Sequence, residues 1–497
     1  MALTEPVALY TAEQSRAVDH CAITGHELPG TLLMARAARA AFRELLRRWP
    51  SPSLVQVLAG PGNNGGDGLL LALLADGRGI KTRILLVDGE PRSDDAQRAM
   101  QRVRAAGLRV EPFTADALLA EGVLVDAMLG TGIEGPPRAA YGAAIDAVNT
   151  CELPVLALDV PSGLNADTGA GGAQVVRAVI TVSFITGKRG LYTGMGPDCA
   201  GERVLDDLEV PGAAYAAAGE AVELLRLAQA RAVLPPLAPS THKGHLGRCL
   251  LIGGERGMGG AVLLAAEAAL RCGVGLLRVA TREEHVGPLL TRTPEAMATA
   301  VRGYSDLQAL LPWADTLIVG PGLGQEPWGE QMLSAALACG KPMLLDADAL
   351  NLLAGQGSGD ASWTLPPDCI ITPHPGEAAR LLGVDPAAVQ ADRFAAADAL
   401  LAHGPGAVIV KGHGSLVVTP DSTAICASGN PGMASGGMGD VLSGIAGALL
   451  AQGLTPAAAA RLGCALHGEA ADLAARERGQ RTLLASDLAP RLGALLS

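Results

Sequence analysis

Short apolar runs, several of them ending at or beside glycine or aspartate, alternate along this chain with longer amphipathic stretches. In the first half the runs are residues 54–59, 82–87, 123–126 and 155–159; in the second, 248–252, 276–280, 316–319, 343–346 and 407–410. Runs this short read as buried strands and the longer stretches as helices. Strands that alternate with helices are joined by crossovers, so the pattern predicts open, parallel α/β sheets. The polar residues at the run ends would then stand at strand C-termini, where such sheets collect ligands.

The 497 residues exceed what one ordinary core holds, so more than one domain is expected. A break lies within 212–240: Pro211-Gly212, a helix-like stretch over 213–232, then Leu234-Pro-Pro-Leu-Ala-Pro239. The halves show no sequence repeat, and the expected domains are 1–222 and 223–497. Aromatic residues make up only 3%, so Ala, Leu and Val must pack the cores. A net charge of −12 argues against nucleic acid and anionic membranes as partners. No apolar run approaches the ~18 residues that span a bilayer, and residues 1–16 carry no basic-then-apolar leader. Nine cysteines without a C-x-x-C pair argue against zinc and a disulfide framework. A cytoplasmic location is expected, and the Ala-rich, aromatic-poor composition suggests a homo-oligomer.

The most chemically pointed segment is Asn430-Pro-Gly-Met-Ala-Ser-Gly-Gly-Met-Gly-Asp440-Val-Leu-Ser-Gly444, with an apolar helix-like run over 445–451. Its glycines let successive N–H groups turn toward one point at a helix N-terminus, a ready anion site. A carboxylate beside an anion site is repelled by it unless its task is to take a proton. Asp440 is therefore the expected base in phosphoryl transfer to a hydroxyl. The bland alternative is a flexible glycine loop before a helix.

In the first half, residues 60–68 read Gly-Pro-Gly-Asn-Asn-Gly-Gly-Asp-Gly before a helix-like 69–75. Formally this is a dinucleotide fingerprint, with Asp88 as ribose acceptor. Asn63, Asn64 and Asp67 add oxygens that suit a hard cation or a ribose as well as a phosphate. Asp126-Ala-Met-Leu-Gly130-Thr131-Gly132 and Asp159-Val-Pro-Ser162-Gly163 repeat the strand-to-loop arrangement. Singly, each reads as a turn whose Asp caps a helix; together they would converge on one crevice. In the second half, 241–247, 253–261, 320–324, 345–350 and 372–377 each precede or follow an expected strand, as does Lys411-Gly412-His413-Gly414-Ser415. That last segment offers a cation, N–H groups and a hydroxyl suited to a nucleotide diphosphate, with a solvated turn as the alternative. His374, held between two prolines, reads as a ligand contact.

Residues 8–212, through 60–68, 126–132, 159–163 and Thr193-Gly-Met-Gly-Pro-Asp198 after Lys188, resemble the epimerase domain of NAD(P)H-hydrate repair proteins. Residues 225–497, from His242 to Gly444, resemble the dehydratase domain of the same proteins. The resemblance implies an α/β chain with a Rossmann-like three-layer αβα domain and a ribokinase-like αβα domain. It implies that Asn63, Asn64, Gly65, Gly66, Asp67, the loop of Gly130, Thr131, Gly132, Ile133, Glu134, Gly135 and Pro136, and Asp159 hold hydrated NADH or NADPH. A potassium site of Asn64, Asp126 and Ser162 is implied as well. In the second domain Ala261, Gly324, His374 and Asp440 should contact the hydrate, while Lys411, Gly412, His413, Gly414, Ser415 and Gly439 bind the adenine nucleotide, ADP by resemblance. Ser435 and Met438 stand where threonines are usual in that family, and His245 where an acidic residue is usual.

The chemistry explains why a kinase-like domain would dehydrate. Hydroxide is a poor leaving group; once phosphorylated, its oxygen leaves readily with help from the ring nitrogen's lone pair. Asp440 would be the base, with magnesium offsetting phosphoryl charge and Glu377 a helper. Asp159 would serve as acid/base for water departing and returning at the epimerising centre. Two alternatives remain at this stage: a ribokinase-like small-molecule kinase with a regulatory N-terminal half, and a nucleotide-sensing scaffold without turnover.

Overall fold

The computed structural model describes residues 7–132, 135, 137–356 and 363–497. The chain divides into two compact units, Ala8–Val222 and Glu223–Ser497, with Val7 grouped in the second. Among the described residues no helix is long and apolar enough to cross a membrane.

The first unit holds strands β1 (Val7–Tyr10), β2 (Val55–Ala59), β3 (Thr82–Leu86), β4 (Val110–Pro112), β5 (Val123–Ala127), β6 (Val155–Leu158), β7 (Ile180–Phe184), β8 (Gly187–Lys188) and β9 (Glu202–Asp206). Seven form a parallel sheet in the order β4-β3-β2-β5-β6-β7-β9, while β1 pairs with β8. From β2 the chain winds out to β3 and β4, then crosses back to β5, so the order reverses beside β2. Alternation along β2 explains the three layers. Val55, Val57 and Ala59 pack with Leu33, Leu45 and Leu69 from the helices Gly30–Arg48 and Asn63–Gly77. Leu58 instead packs with Tyr141, Ala144 and Ile145 of the helix Ala139–Thr150, on the other face.

The second unit adds β10 (Val222–Leu225), β11 (Arg248–Ile252), β12 (Leu276–Thr281), β13 (Met297–Ala300), β14 (Thr316–Val319), β15 (Met343–Leu345), β16 (Cys369–Ile371), β17 (Ala407–Val410), β18 (Ser415–Thr419) and β19 (Ser422–Cys426). Their order is β13-β12-β11-β14-β15-β16-β17-β18-β19-β10. The ladder is parallel from β13 to β17, and the β18–β19 hairpin then makes two antiparallel pairings. The helix Met438–Ala451 runs through the core: Met438 and every residue from Val441 to Ala451 are buried. A helix apolar on all sides belongs inside a domain, and this one packs with Gly259–Arg271 and Pro456–Arg478.

Two local expectations fail. Residues 213–232 are not one helix. They form a 3-10 segment Gly212–Ala218, β10, a short helix Leu227–Ala230 and a further 3-10 turn. Alanine favours helix, but Val222–Leu225 gains a ladder against β19, and tertiary pairing outweighs propensity. The glycine-rich segments are also less loop-like than expected. Helices begin at Asn63 and Met438, so Asn63 to Gly68, and Asp440, lie in first and second turns.

Candidate active sites

In the first unit the ends of β2, β5 and β6 are neighbours in the sheet, so their three loops converge as the sequence implied. The tight turn before the Asn63 helix depends on Gly65, because a Cβ there would collide with the Gly60 carbonyl. Asn64 Nδ2 donates to the Leu129 carbonyl at 2.9 Å, tying the helix start to the β5 loop. Its Oδ1 is buried without a hydrogen-bond partner. The Asp126 carboxylate accepts from Ser162 N at 2.8 Å and Ser162 Oγ at 2.6 Å, with Met128 N at 3.2 Å. Burial pushes Asp126 up to about 6 even though these donors favour its charged form.

Asp159 follows β6 with φ of 66°, a left-handed conformation that an Asp tolerates better than a branched residue would. Its Oδ1 accepts from Phe184 N at 3.2 Å and from Lys188 Nζ. Lys188 is 2% exposed and also donates to the Phe184 carbonyl at 2.8 Å. Asp67, in the same crevice, is raised well above the usual carboxylate range, first by burial and then by Asp159 and Asp19. Asn63, Asn64, Asp67, Gly130, Asp159 and Lys188 line one cavity of about 650 Å³. Thr131 and Gly132 line it too; Gly65 and Gly66 are buried in the helix start. Ile133, Glu134 and Pro136 lie outside the described residues.

In the second unit the centre is a charge cluster. Lys411, just past β17, donates to Asp346 Oδ1 at 2.6 Å and stands 3.6 Å from Glu377 Oε2. Asp346 follows β15, is 1% exposed and also accepts from Ser443 Oγ at 2.7 Å. Desolvation pulls the Lys411 ammonium down, but Asp346, Glu377 and Asp440 outweigh it, so the lysine is held charged. Asp440 occupies the first turn of the Met438 helix, whose cap Gly437 has φ of 89°. Burial first, then Asp346, raises it to about 7, with Lys411 opposing. The first N–H groups of that helix have no carbonyl one turn back, so they can serve an anion there. The Met438 side chain is buried in the core.

His374 caps the helix Pro375–Leu382. Its Nδ1 accepts from Gly376 N at 3.0 Å, Glu377 Oε2 accepts from His374 N at 2.7 Å, and Glu377 Oε1 is 3.3 Å from Nε2. Burial holds this imidazole below its usual pKa, against Glu377. Gly324 N donates to Asp348 Oδ2 at 2.9 Å, and Asp348 is one of the charges acting on Asp440. Ala261 begins the Gly259 helix beside Gly322. His245 stacks on His242 with centroids 3.6 Å apart.

Four residues near these sites were given no role from sequence. Asp346 carries a weak signal, a charge directly after an apolar run, and Lys188 a weaker one, separated by two residues from such a run. Asp19 carries none, since it sits in a polar helix. Arg393 is 2% exposed; it donates to Val410 O at 2.9 Å, His413 O at 2.8 Å and Gly414 O at 3.2 Å. It thereby fixes the carbonyls of the Lys411–Ser415 segment from beneath. Burial lowers it to about 10, still a cation at neutral pH.

Carboxylates, a buried lysine and helix N-termini gathered at strand ends define an α/β enzyme with two separate sites, the second in a ribokinase-like unit. The description NAD(P)H-hydrate dehydratase matches residues 249–492, and YjeF-related protein N-terminus matches 30–190. The chain is 44% identical to the bifunctional NAD(P)H-hydrate repair enzyme of Coxiella burnetii, over 98% of this chain and 99% of that one. It is 43% identical to the Escherichia coli K12 enzyme of that name, over 92% and 87%. A ribokinase-like superfamily protein from Enterococcus faecalis superposes with TM-score 0.50 and 28% identity, over 55% of this chain and 94% of that one. The chain belongs to the family of bifunctional NAD(P)H-hydrate repair enzymes.

Proposed function

We propose that this chain repairs hydrated NADH and NADPH. Residues 1–222 interconvert the R and S hydrates, and residues 223–497 dehydrate the S hydrate at the expense of ADP, releasing AMP and phosphate. The observation that carries the reading is the full-length match, which spans both units and both sites.

In the second unit Asp440, poised near neutrality, takes the proton of the hydrate's hydroxyl as that oxygen attacks the terminal phosphoryl group. The N–H groups at the start of the Met438 helix and the Lys411 ammonium take up charge on the transferred group. The phosphorylated oxygen then leaves with its electron pair, the ring nitrogen donates its lone pair, and the neighbouring ring carbon gives up a proton. The ring double bond is restored. Lys411 to Ser415, shaped by Arg393, and Gly439 hold the nucleotide; Ala261, Gly324 and His374 border the hydrate. Among the described residues no cluster of three or more His, Cys, Asp or Glu is placed to hold a metal. Magnesium bound with the nucleotide would supply neutralisation of phosphoryl charge.

In the first unit Lys188 donates to Asp159 and anchors it at the cavity wall, where it assists loss and return of water at the carbon beside the ring nitrogen. Potassium fits the residues present: the partnerless Asn64 Oδ1, the Asp126 carboxylate and the Ser162 oxygens are hard donors. Bound there it would offset the Asp126 charge and brace the β2, β5 and β6 loops.

The test supplies mixed hydrate epimers with ADP, magnesium and potassium, and follows the near-ultraviolet absorbance of the restored dihydronicotinamide. The wild type should consume both epimers. Asp159→Asn, which keeps the shape and tolerates the positive φ, should consume the S hydrate at the normal rate and the R hydrate only as fast as it epimerises spontaneously. Stable phosphate on the product would instead mark a kinase.

A further inference from the structure

The cavity of the first unit extends well past Asp159, and its far end is built differently. Asp88 lies just beyond β3 with φ of 65°. Tyr141 Oη donates to its Oδ2 at 3.1 Å, and the guanidinium groups of Arg92 and Arg138 approach the same oxygen at 3.5 and 3.7 Å. All four residues line the cavity that also holds Asn63 and Asp159. Both arginines are solvent-exposed and reach the Asp88 carboxylate only by long contacts, though Arg92 also donates to the Asp88 carbonyl at 3.2 Å, so their hold on the carboxylate is weak. The corner carries one surplus positive charge.

Position says what this corner can read. β3 neighbours β2, the strand that feeds the glycine turn, and an acid ending that neighbouring strand is where a dinucleotide fold meets the adenosine ribose. Asp159 follows β6, three strand spacings away in the order β3-β2-β5-β6, or about 14 Å at the usual sheet spacing. An extended dinucleotide with its nicotinamide ring at Asp159 can bridge such a distance. Its pyrophosphate would then pass over the N-terminus of the Asn63 helix between the two ends.

We propose that Asp88, Arg92 and Arg138 form a two-way reader of the ribose 2′ position of the hydrated dinucleotide. With NADH hydrate, Asp88 accepts the 2′-hydroxyl through Oδ1, while Tyr141 and the arginines remain on Oδ2. With NADPH hydrate, the dianionic 2′-phosphate draws both arginines away from Asp88 into charge-assisted bonds. Tyr141 keeps the carboxylate turned aside. One corner thus serves both substrates by exchanging the arginines' partner. The inference rests on the epimerase reading above and adds to it the residues that distinguish the two hydrates.

The experiment measures epimerisation of NADH hydrate and NADPH hydrate separately, on the full chain without ADP or ATP so that dehydration is silent. The readout is the ratio of the two kcat/KM values, in which any loss of folded enzyme cancels. Asp88→Asn should shift that ratio about tenfold toward NADPH hydrate, and Arg92→Ala combined with Arg138→Ala about tenfold toward NADH hydrate. Both activities falling by one factor, or both ratios staying at the wild-type value, would overturn the reader. A wild-type chain that epimerises neither hydrate removes the proposed function itself, and this subsite with it.

Discussion

Acidification should slow dehydration about tenfold between pH 8 and pH 6, because the base must be ionised to act. Asp440 titrates near 7, so about ten-elevenths of the enzyme carries the carboxylate at pH 8 and about one-eleventh at pH 6. Replacing the base by Asp440→Asn should lower the rate by about 10²–10⁴ at any pH, with epimerisation as the internal control for folding. Nucleotide phosphates titrate in the same range, so the discriminating perturbation is Asp346→Asn. It removes the like charge that helps hold Asp440 up, and leaves Lys411 pulling in the opposite direction. At an effective dielectric near 20, one like charge on a neighbouring group contributes on the order of 1–2 kcal/mol, or roughly one pH unit. The acidic limb should move down by that amount. The assay is single-turnover regrowth of dihydronicotinamide absorbance on purified S hydrate with saturating ADP, from pH 5 to 8.5. A limb that stays in place in Asp346→Asn, or an Asp440→Asn enzyme within threefold of wild type, refutes the base assignment.

Two further outcomes are expected. Arg393→Met should raise the KM for nucleotide by about tenfold or more with a much smaller change for the hydrate, since two carbonyls of the Lys411–Ser415 segment, and that of Val410 before it, lose their donor. Arg393→Lys should recover part of that loss, and equal rises in both KM values would show that the arginine serves the fold alone. His467, 9% exposed, is held down to about 4 by burial. The unfolded imidazole binds a proton below about 6.5 while the folded one does so only below about 4, so stability falls on acidification through that window. Unfolding of the second unit should lose about 2 kcal/mol between pH 7 and pH 5 through this group, and His467→Gln should flatten the dependence.

The central strands were legible because they are short apolar runs bounded by glycine or aspartate, and β2, β11 and β14 fall within a residue of expectation. Strands with polar or half-exposed residues were not: β9 is Glu-Arg-Val-Leu-Asp, and none of the four residues of β13 is buried. Their only warrant is the ladder of a neighbour. Helix starts at Asn63 and Met438 were hidden because glycine argues against helix locally. At Gly65 the gain is tertiary, since only a residue without Cβ lets the helix return against the turn. The candidate site residues Asp440, Asp159 and Lys411 could be picked from motifs. What they bond to could not: Lys188 sits 29 residues from Asp159, and Asp346 is 65 from Lys411.

The Met438 helix has a consequence for how the second unit fails. Amides from Val441 onward lie in a segment with no water-facing side, so they can exchange with solvent only when the whole unit opens. Asp440, the proposed base, stands immediately ahead of this slow-exchanging segment, while the glycines just before it can fray alone. Hydrogen exchange read by mass spectrometry would show a sharp step in protection between residues 436 and 441. Mild denaturant should then abolish nucleotide turnover before the helix itself deprotects.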